Sequence, residues 1–307
     1  MLKQVSNTDI LALNIPDIRL NAIFVEITSK SVNVNSVYFI FYKNLTPIIA
    51  FALYENKKRI VLPTHGYPYY SGIWIKNHKD YSNDLYEALK LLLKNYKSVD
   101  LILPPEINDV RAFIWCGFSA KVKYTYIKKS NNKESKDDVK SNYKKAKSLN
   151  LKLTTEESID FDWFNYETQL KRLGFSNISL KQLKIWITSL EKNSLVMFFK
   201  VLNKNNDSLG SGIVLLNRGA KVGGLLLNYV PKNSHQSAVN SFLYLEIQNW
   251  LNINGFDYFD YLGANTKSIA DFKKRFNPDL KSYFLVRYKK NSVITNVKNK
   301  FLLIFNK

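Results

Sequence analysis

The sequence predicts an α+β chain built from two similar halves. Three observations predict it: a repeated order of periodic segments, landmarks recurring at a near-constant spacing, and a wholly polar run between the repeats. In the first half, residues 82–96 carry Leu85, Leu89, Leu92 and Leu93 at helical spacing. The short apolar stretch Val99–Leu103 then reads as a strand, Asn108–Trp115 as a helix and Val122–Tyr126 as a strand. The second half repeats the order with helix 239–253, strand Tyr258–Tyr261, helix 267–275 and strand Tyr283–Val286. The helix at 239–253 ends at Gly255, a residue suited to the left-handed position that closes helices. Glu87 and Glu246, Phe113 and Phe272, and Tyr124 and Tyr283 lie 159 residues apart, and Asp100 and Asp260 lie 160 apart. Duplication is the simplest cause.

Upstream of each repeat, segments with strand character occur at 22–28, 36–42 and 47–54, and again at 195–201, 209–216 and 221–227. The second half also opens with amphipathic helices at 160–173 and 179–191. Residues 129–138 contain no apolar side chain, which marks an exposed connection. The expected division is therefore a first domain over 1–128, a polar and basic connection over 129–147, a second domain over 148–290, and a tail over 291–307. In the tail, Val293, Val297, Phe301 and Ile304 or Phe305 recur on one helical face among lysines. That face suits either packing on the second domain or the surface of an anionic membrane.

Composition narrows the function classes. The 307 residues are 46% hydrophobic, enough for large cores and wrong for a disordered chain. One Cys excludes an intramolecular disulfide, and three scattered His suggest no metal site, so a reducing, cytoplasmic location is expected. No stretch of 18 uninterrupted apolar residues suggests a membrane span. The net charge is +20, and sixteen of those charges fall within 121–147 and 267–307. Such clustering points to an anionic partner, although a Lys-rich composition accounts for part of it.

Several stretches carry a resemblance. Phe259-Asp260-Tyr261-Leu262-Gly263-Ala264-Asn265, followed by Ile269-Ala270-Asp271-Phe272-Lys273-Lys274-Arg275-Phe276, resembles the closing signature of the Fem-type aminoacyl transferases. It equally resembles that of their relatives, the tandem GNAT-fold acyltransferases associated with envelope polysaccharides. Pro68-Tyr69-Tyr70-Ser71-Gly72-Ile73 is similar to the first-domain loop of that family, Trp115-Cys116-Gly117-Phe118 to its Trp-x-Gly-Phe segment, and Lys140–Ala146 to the basic helix opening its second domain. The resemblance implies two tandem GNAT-like domains, each a mixed sheet with flanking helices, with a cleft between them. It implies acyl or aminoacyl transfer to an amine or hydroxyl of an envelope precursor, nucleotide- or lipid-linked. The donor would be acyl-CoA or an aminoacyl-tRNA, and the partners would be that anionic precursor, tRNA and the inner membrane surface. A catalytically inert tandem module binding an anionic glycan, membrane or RNA is the competing class.

Candidate site residues follow. Lys273 is expected to stabilise negative charge in acyl transfer, and at a spacing of 159 its counterpart is the apolar Ile114, so the cation is confined to one copy. A solvated helix face accounts for it too. Asp260, at a strand end, is suited to orienting a nucleophilic amine or to capping. Donor contacts are assigned to Asn233, Ser234, Ser237 and Phe272; the stretch 228–239 lacks the glycines that let a backbone cradle a pyrophosphate. His235 is a loop residue or a base, and Glu246 a helix-surface or paired residue. Acceptor contacts are assigned to Tyr67, Tyr69, Tyr70 and Trp74, in a loop too rich in aromatics and breakers for a strand, and to Lys140, Lys144 and Lys145 at helical spacing.

Overall fold

The computed structural model describes residues 1–63, 70–232 and 235–290. Its first half runs β1 (Leu2–Val5), α1 (Asn7–Ala12), α2 (Ala22–Ser31), β2 (Asn35–Lys43), β3 (Thr46–Glu55), β4 (Arg59–Val61), β5 (Gly72–Ile75), α3 (Ser82–Leu93), β6 (Ser98–Leu103), α4 (Arg111–Trp115) and β7 (Ser119–Lys129). After α5 (Asp137–Ser148) the order returns: β8 (Lys152–Glu156), α6 (Trp163–Arg172), α7 (Asn177–Glu191), β9 (Val196–Leu202), β10 (Ser208–Asn217), β11 (Val222–Tyr229), α8 (Gln236–Ile253), β12 (Tyr258–Asp260), α9 (Lys267–Lys274) and β13 (Asp279–Lys289).

Residues 22–28, expected as a strand, begin the helix α2. The Asn21 side chain accepts from the N–H groups of Ile23 and Phe24, supplying the cap. Phe24, Val25 and Thr28 then turn inward at helical spacing while Glu26 stays exposed; a strand alternating on Phe24 would have buried that glutamate. Both halves thus open with two helices, α1 and α2 matching α6 and α7. A second correction lies at 72–75: this segment is a strand, because Gly72 pairs with Ala52 where a Cβ would come within 2.4 Å of the Arg19 carbonyl oxygen. Glycine alone fits there.

The two halves share one sheet in the order β1-β2-β3-β4-β6-β13-β7-β12-β11-β10-β9-β8, with β5 also on β3. The last strand of each half has crossed over. β13 lies between β6 and β7, and β7 lies between β13 and β12. A two-fold axis that exchanges antiparallel neighbours must stand perpendicular to the sheet, so it keeps each face on itself. In the β7/β13 ladder Lys123 opposes Tyr283 and Tyr124 opposes Ser282. Directly opposed residues share a face, so Tyr124 and Tyr283 point to opposite sides. The spacing that preserves faces is 160, which relates Lys123 to Tyr283 and Asp100 to Asp260. The helices agree: Gly117 and Asn277, 160 apart, both close their helix with positive φ, 84° and 55°. Phe113 then corresponds to Lys273, and both are buried, whereas Ile114 is exposed.

Alternation sorts the core into three parts. On one face, α1, α2, α6 and α7 cover Tyr38, Ile40, Ala50, Phe198 and Ile213 in a single cluster drawn from both halves. It includes the buried Trp186, whose indole N–H donates to Thr28 Oγ1 at 3.0 Å. On the other face, α3 and α4 cover the first half, and α5, α8 and α9 cover the second, each with its own cluster. Among the described residues no helix is long and apolar enough to cross a membrane.

Candidate functional site

Strands β11 and β12 run parallel only from Val222–Tyr258 to Gly224–Asp260 and then part. At their divergence, on the face carrying α2, lies a cavity of about 300 Å³. Apolar side chains from both halves line it, among them Ile18, Phe24, Ile127, Leu215, Val222 and Leu262, with Arg19, Tyr70, Glu106, Asn217 and Asp260 as the polar groups.

Asp260 is 3% exposed and closes the strand. Its Oδ1 accepts from Thr125 Oγ1 at 2.6 Å and from the Leu262 N–H at 2.9 Å, and its Oδ2 accepts from Tyr70 Oη at 2.9 Å. Burial raises its pKa above the ordinary carboxylate value, against the opposing effect of these donors. Burial and the neighbouring carboxylate push the Tyr70 phenol well up, so it stays protonated as the donor. Tyr70 is further held edge-on against Tyr283, ring centroids 5.4 Å apart, and beneath the Arg19 guanidinium at 5.8 Å. Arg19 in turn is bound by both Asp17 and Glu106, its Nε reaching Asp17 Oδ2 at 2.8 Å. Its charge is therefore spent locally.

The first half has the matching divergence, since β4 and β6 pair only at Arg59–Ser98 and Ile60–Val99. There the chain fills its own gap. The Ser71 N–H donates to the Ile102 carbonyl at 2.7 Å and Ser71 Oγ accepts from the Ile102 N–H at 3.0 Å. Ser71 thus plugs one divergence while the adjacent Tyr70 reaches the other. Past Gly224 and Asp260 no ladder pair joins β11 to β12 among the described residues.

Lys273 is 7% exposed rather than solvated. Its Nζ donates to the carbonyls of Tyr261 (2.6 Å), Leu262 (2.5 Å) and Gly263 (3.0 Å). Leu262 and Gly263 have positive φ, 49° and 77°, a turn that leaves these carbonyls outside any ladder. β6 instead continues in register with β13 to Leu103, and its half has Phe113 where Lys273 stands. Lysine occurs in the copy whose strand turns away. Burial lowers its pKa to about 8, opposed by the attraction of Asp260.

The other expected residues divide. Phe272 lies in the aromatic core beneath the sheet, against Tyr244 at 5.3 Å and Phe276 at 5.2 Å, not in the cavity. Trp74 sits in β5 and packs against the cluster under α2 and α7, because pairing with Ala50 fixes its face. Lys140, Lys144 and Lys145 are exposed on α5, which packs on α8 across the sheet from the cavity. In the same interface Tyr143 and Lys147 both donate to Glu246, at 2.6 and 2.8 Å, so that glutamate is a paired residue. Ser237 is exposed in the first turn of α8. Tyr67, Tyr69, Asn233, Ser234 and the tail 291–307 lie outside the described residues. Sequence reasoning missed Arg19, Asp17, Glu106 and Thr125. Thr125 alone had a signal, as a hydroxyl between two tyrosines in a predicted strand.

No protein-family profile matches the chain, and no curated protein does. Solved structures do. One titled FemX superposes with a TM-score of 0.65 at 11% identity, covering 92% of this chain and 96% of its own. L-PGS from Bacillus licheniformis gives 0.53 at 14%, covering 89% and 93%. A tandem GNAT protein from the clavulanic acid biosynthesis pathway gives 0.55 at 7%, covering 95% and 99%. What this chain shares with them is the fold, two tandem GNAT-like units.

Proposed function

We propose that the chain is an acyl- or aminoacyl-transferase acting on an amine or hydroxyl of a cell-envelope sugar or peptide precursor, with the second copy holding the donor. The observation that carries this reading is the open divergence of β11 and β12 ending on the Asp260–Tyr70–Thr125 cluster, beside a first-half divergence closed by Ser71. A strand edge without ladder partners can hydrogen-bond an extended donor arm, and the apolar cavity beyond it can hold the acyl end. The acceptor nitrogen or oxygen attacks the donor carbonyl carbon, and the bond to the leaving sulfur or oxygen breaks. Asp260 takes the proton released by the acceptor and returns it to the leaving group, a role suited to a carboxylate whose pKa is raised. Tyr70 and Thr125 fix its orientation.

Fold likeness to FemX, L-PGS and a tandem GNAT protein supports transfer chemistry and leaves two donor classes. Equilibrium binding of acetyl-CoA, coenzyme A and an aminoacyl-tRNA to the parent and to Gly224→Leu tests the site. A Cβ at Gly224 would already stand 3.3 Å from Leu262, so a leucine fills the cavity. Binding of one donor is expected in the parent and its loss in the variant. Binding of none, or equal binding by both proteins, would remove the proposal. With the donor in hand, Asp260→Asn should lower turnover about 10²-fold or more.

A further inference from the structure

The turn between α6 and α7 combines aliphatic exposure with unopposed positive charge. Leu173 is 69% exposed and Ile178 73%. Residues 171–174 are all exposed, and a Cβ on Gly174, at φ +88°, would meet nothing within 4 Å, so the turn is open to solvent. From residue 168 to residue 190 there is no acid, and Lys171, Arg172, Lys181 and Lys184 supply four cations. Lys171 and Lys184 pair with Glu167 and Asp160, but Arg172 and Lys181 have no carboxylate partner among the described residues. Ile178 and Lys181 lie three apart on one face of α7. Exposed aliphatic side chains and cations without a carboxylate partner therefore share one solvent-open turn.

We propose that this turn is a docking surface for an anionic lipid bilayer, with Leu173 and Ile178 entering the headgroup boundary while Arg172 and Lys181 meet the lipid phosphates. Exposed aliphatic side chains beside unpaired cations fit the boundary of an acidic bilayer, and each suitably placed cation adds attraction to acidic lipid. RNA is the weaker fit because aliphatic side chains offer no stacking surface for bases. The surface is separate from the cavity residues, so the inference stands independently of the transferase reading.

The test is co-sedimentation of the full chain with vesicles of phosphatidylcholine containing phosphatidylglycerol, against pure phosphatidylcholine, at low and high salt. The parent is expected to bind the acidic vesicles in a salt-sensitive way. Leu173→Ser with Ile178→Ser, and separately Arg172→Gln with Lys181→Gln, are each expected to weaken that binding roughly tenfold or more. All four positions are exposed, so both variants should retain the parent's melting temperature. The proposal fails if the parent ignores acidic vesicles at low salt, or if both variants bind them as the parent does. It also fails if the parent binds a single-stranded RNA in preference to the vesicles and the serine variant keeps that binding.

Discussion

Lys273, on α9, reaches the turn at Leu262 and Gly263 that borders the cavity, and its three carbonyl partners give it a clear energetic role. A buried acceptor left without a donor costs about 1–3 kcal/mol. Lys273→Met should therefore destabilise the protein by about 2–4 kcal/mol in urea unfolding, where the solvated face expected from sequence would have cost about 0.5 kcal/mol or less. Its pH signature has a definite sign. The folded-state value of about 8 lies below the unfolded one, which is about 10.4. Between them the unfolded chain holds more protons, so this residue makes stability rise with pH across that window and contributes no slope below it. Subtracting the Lys273→Met curve from the parent curve should isolate that rise; a flat difference from about pH 8 to pH 10 would contradict it.

At the scale of elements, the re-entry of the aromatic loop into the sheet rests on Ser71 and Gly72. Gly72→Ala must displace either the Arg19 carbonyl or the Ala52 carbonyl, 2.4 and 2.8 Å from the new Cβ. Overpacking of this kind costs about 1–3 kcal/mol. The expected result is a lowered melting temperature together with weaker retention of Tyr70 at Asp260, read as faster amide exchange at Leu262, whose N–H is bound to that carboxylate. An alanine variant melting with the parent would mean that the loop enters the sheet differently. Elements with a strong local pattern were legible in sequence: the helices α3, α7 and α8 and the strands β2, β3, β9 and β10 lie where periodicity places them. The start of α2 was not, since Ala22–Thr28 is rich in branched residues and only the Asn21 cap and the burial of both Phe24 and Val25 select the helix.

For the whole molecule, the exchange of β7 and β13 and the shared cluster under α2 and α7 tie the halves together. Neither half closes its own sheet, as β6 needs β13 and β12 needs β7. Unfolding followed by far-ultraviolet circular dichroism and by tryptophan fluorescence should give one coincident transition, since Trp74 and Trp115 report on the first half and Trp163, Trp186 and Trp250 on the second. Two separated transitions would show that the halves are independent. Fragments 1–136 and 137–307 should each be insoluble or poorly folded alone and recover a native spectrum when expressed together.

By itself the sequence determined the α+β class, the duplicated order, the clustered charge and Asp260 as a strand-end acid, because those features reside in local periodicity and in residue types read one at a time. It also supplied Tyr70 as part of an aromatic loop. Only the tertiary structure decided what those residues face. Three landmarks at a spacing of 159 and one at 160 do not tell which spacing preserves faces, yet in a strand that one residue moves a side chain to the other side of the sheet, and in a helix it sets Lys273 against the buried Phe113 instead of the exposed Ile114. Arg19, Glu106 and Thr125 join Asp260 across chain separations that no local pattern encodes. Lys140, Lys144 and Lys145 have the composition of an anion site, but the packing of α5 on α8 puts them across the sheet from the cavity. Charge is a property of the sequence, whereas the face on which it lies is fixed by the sheet.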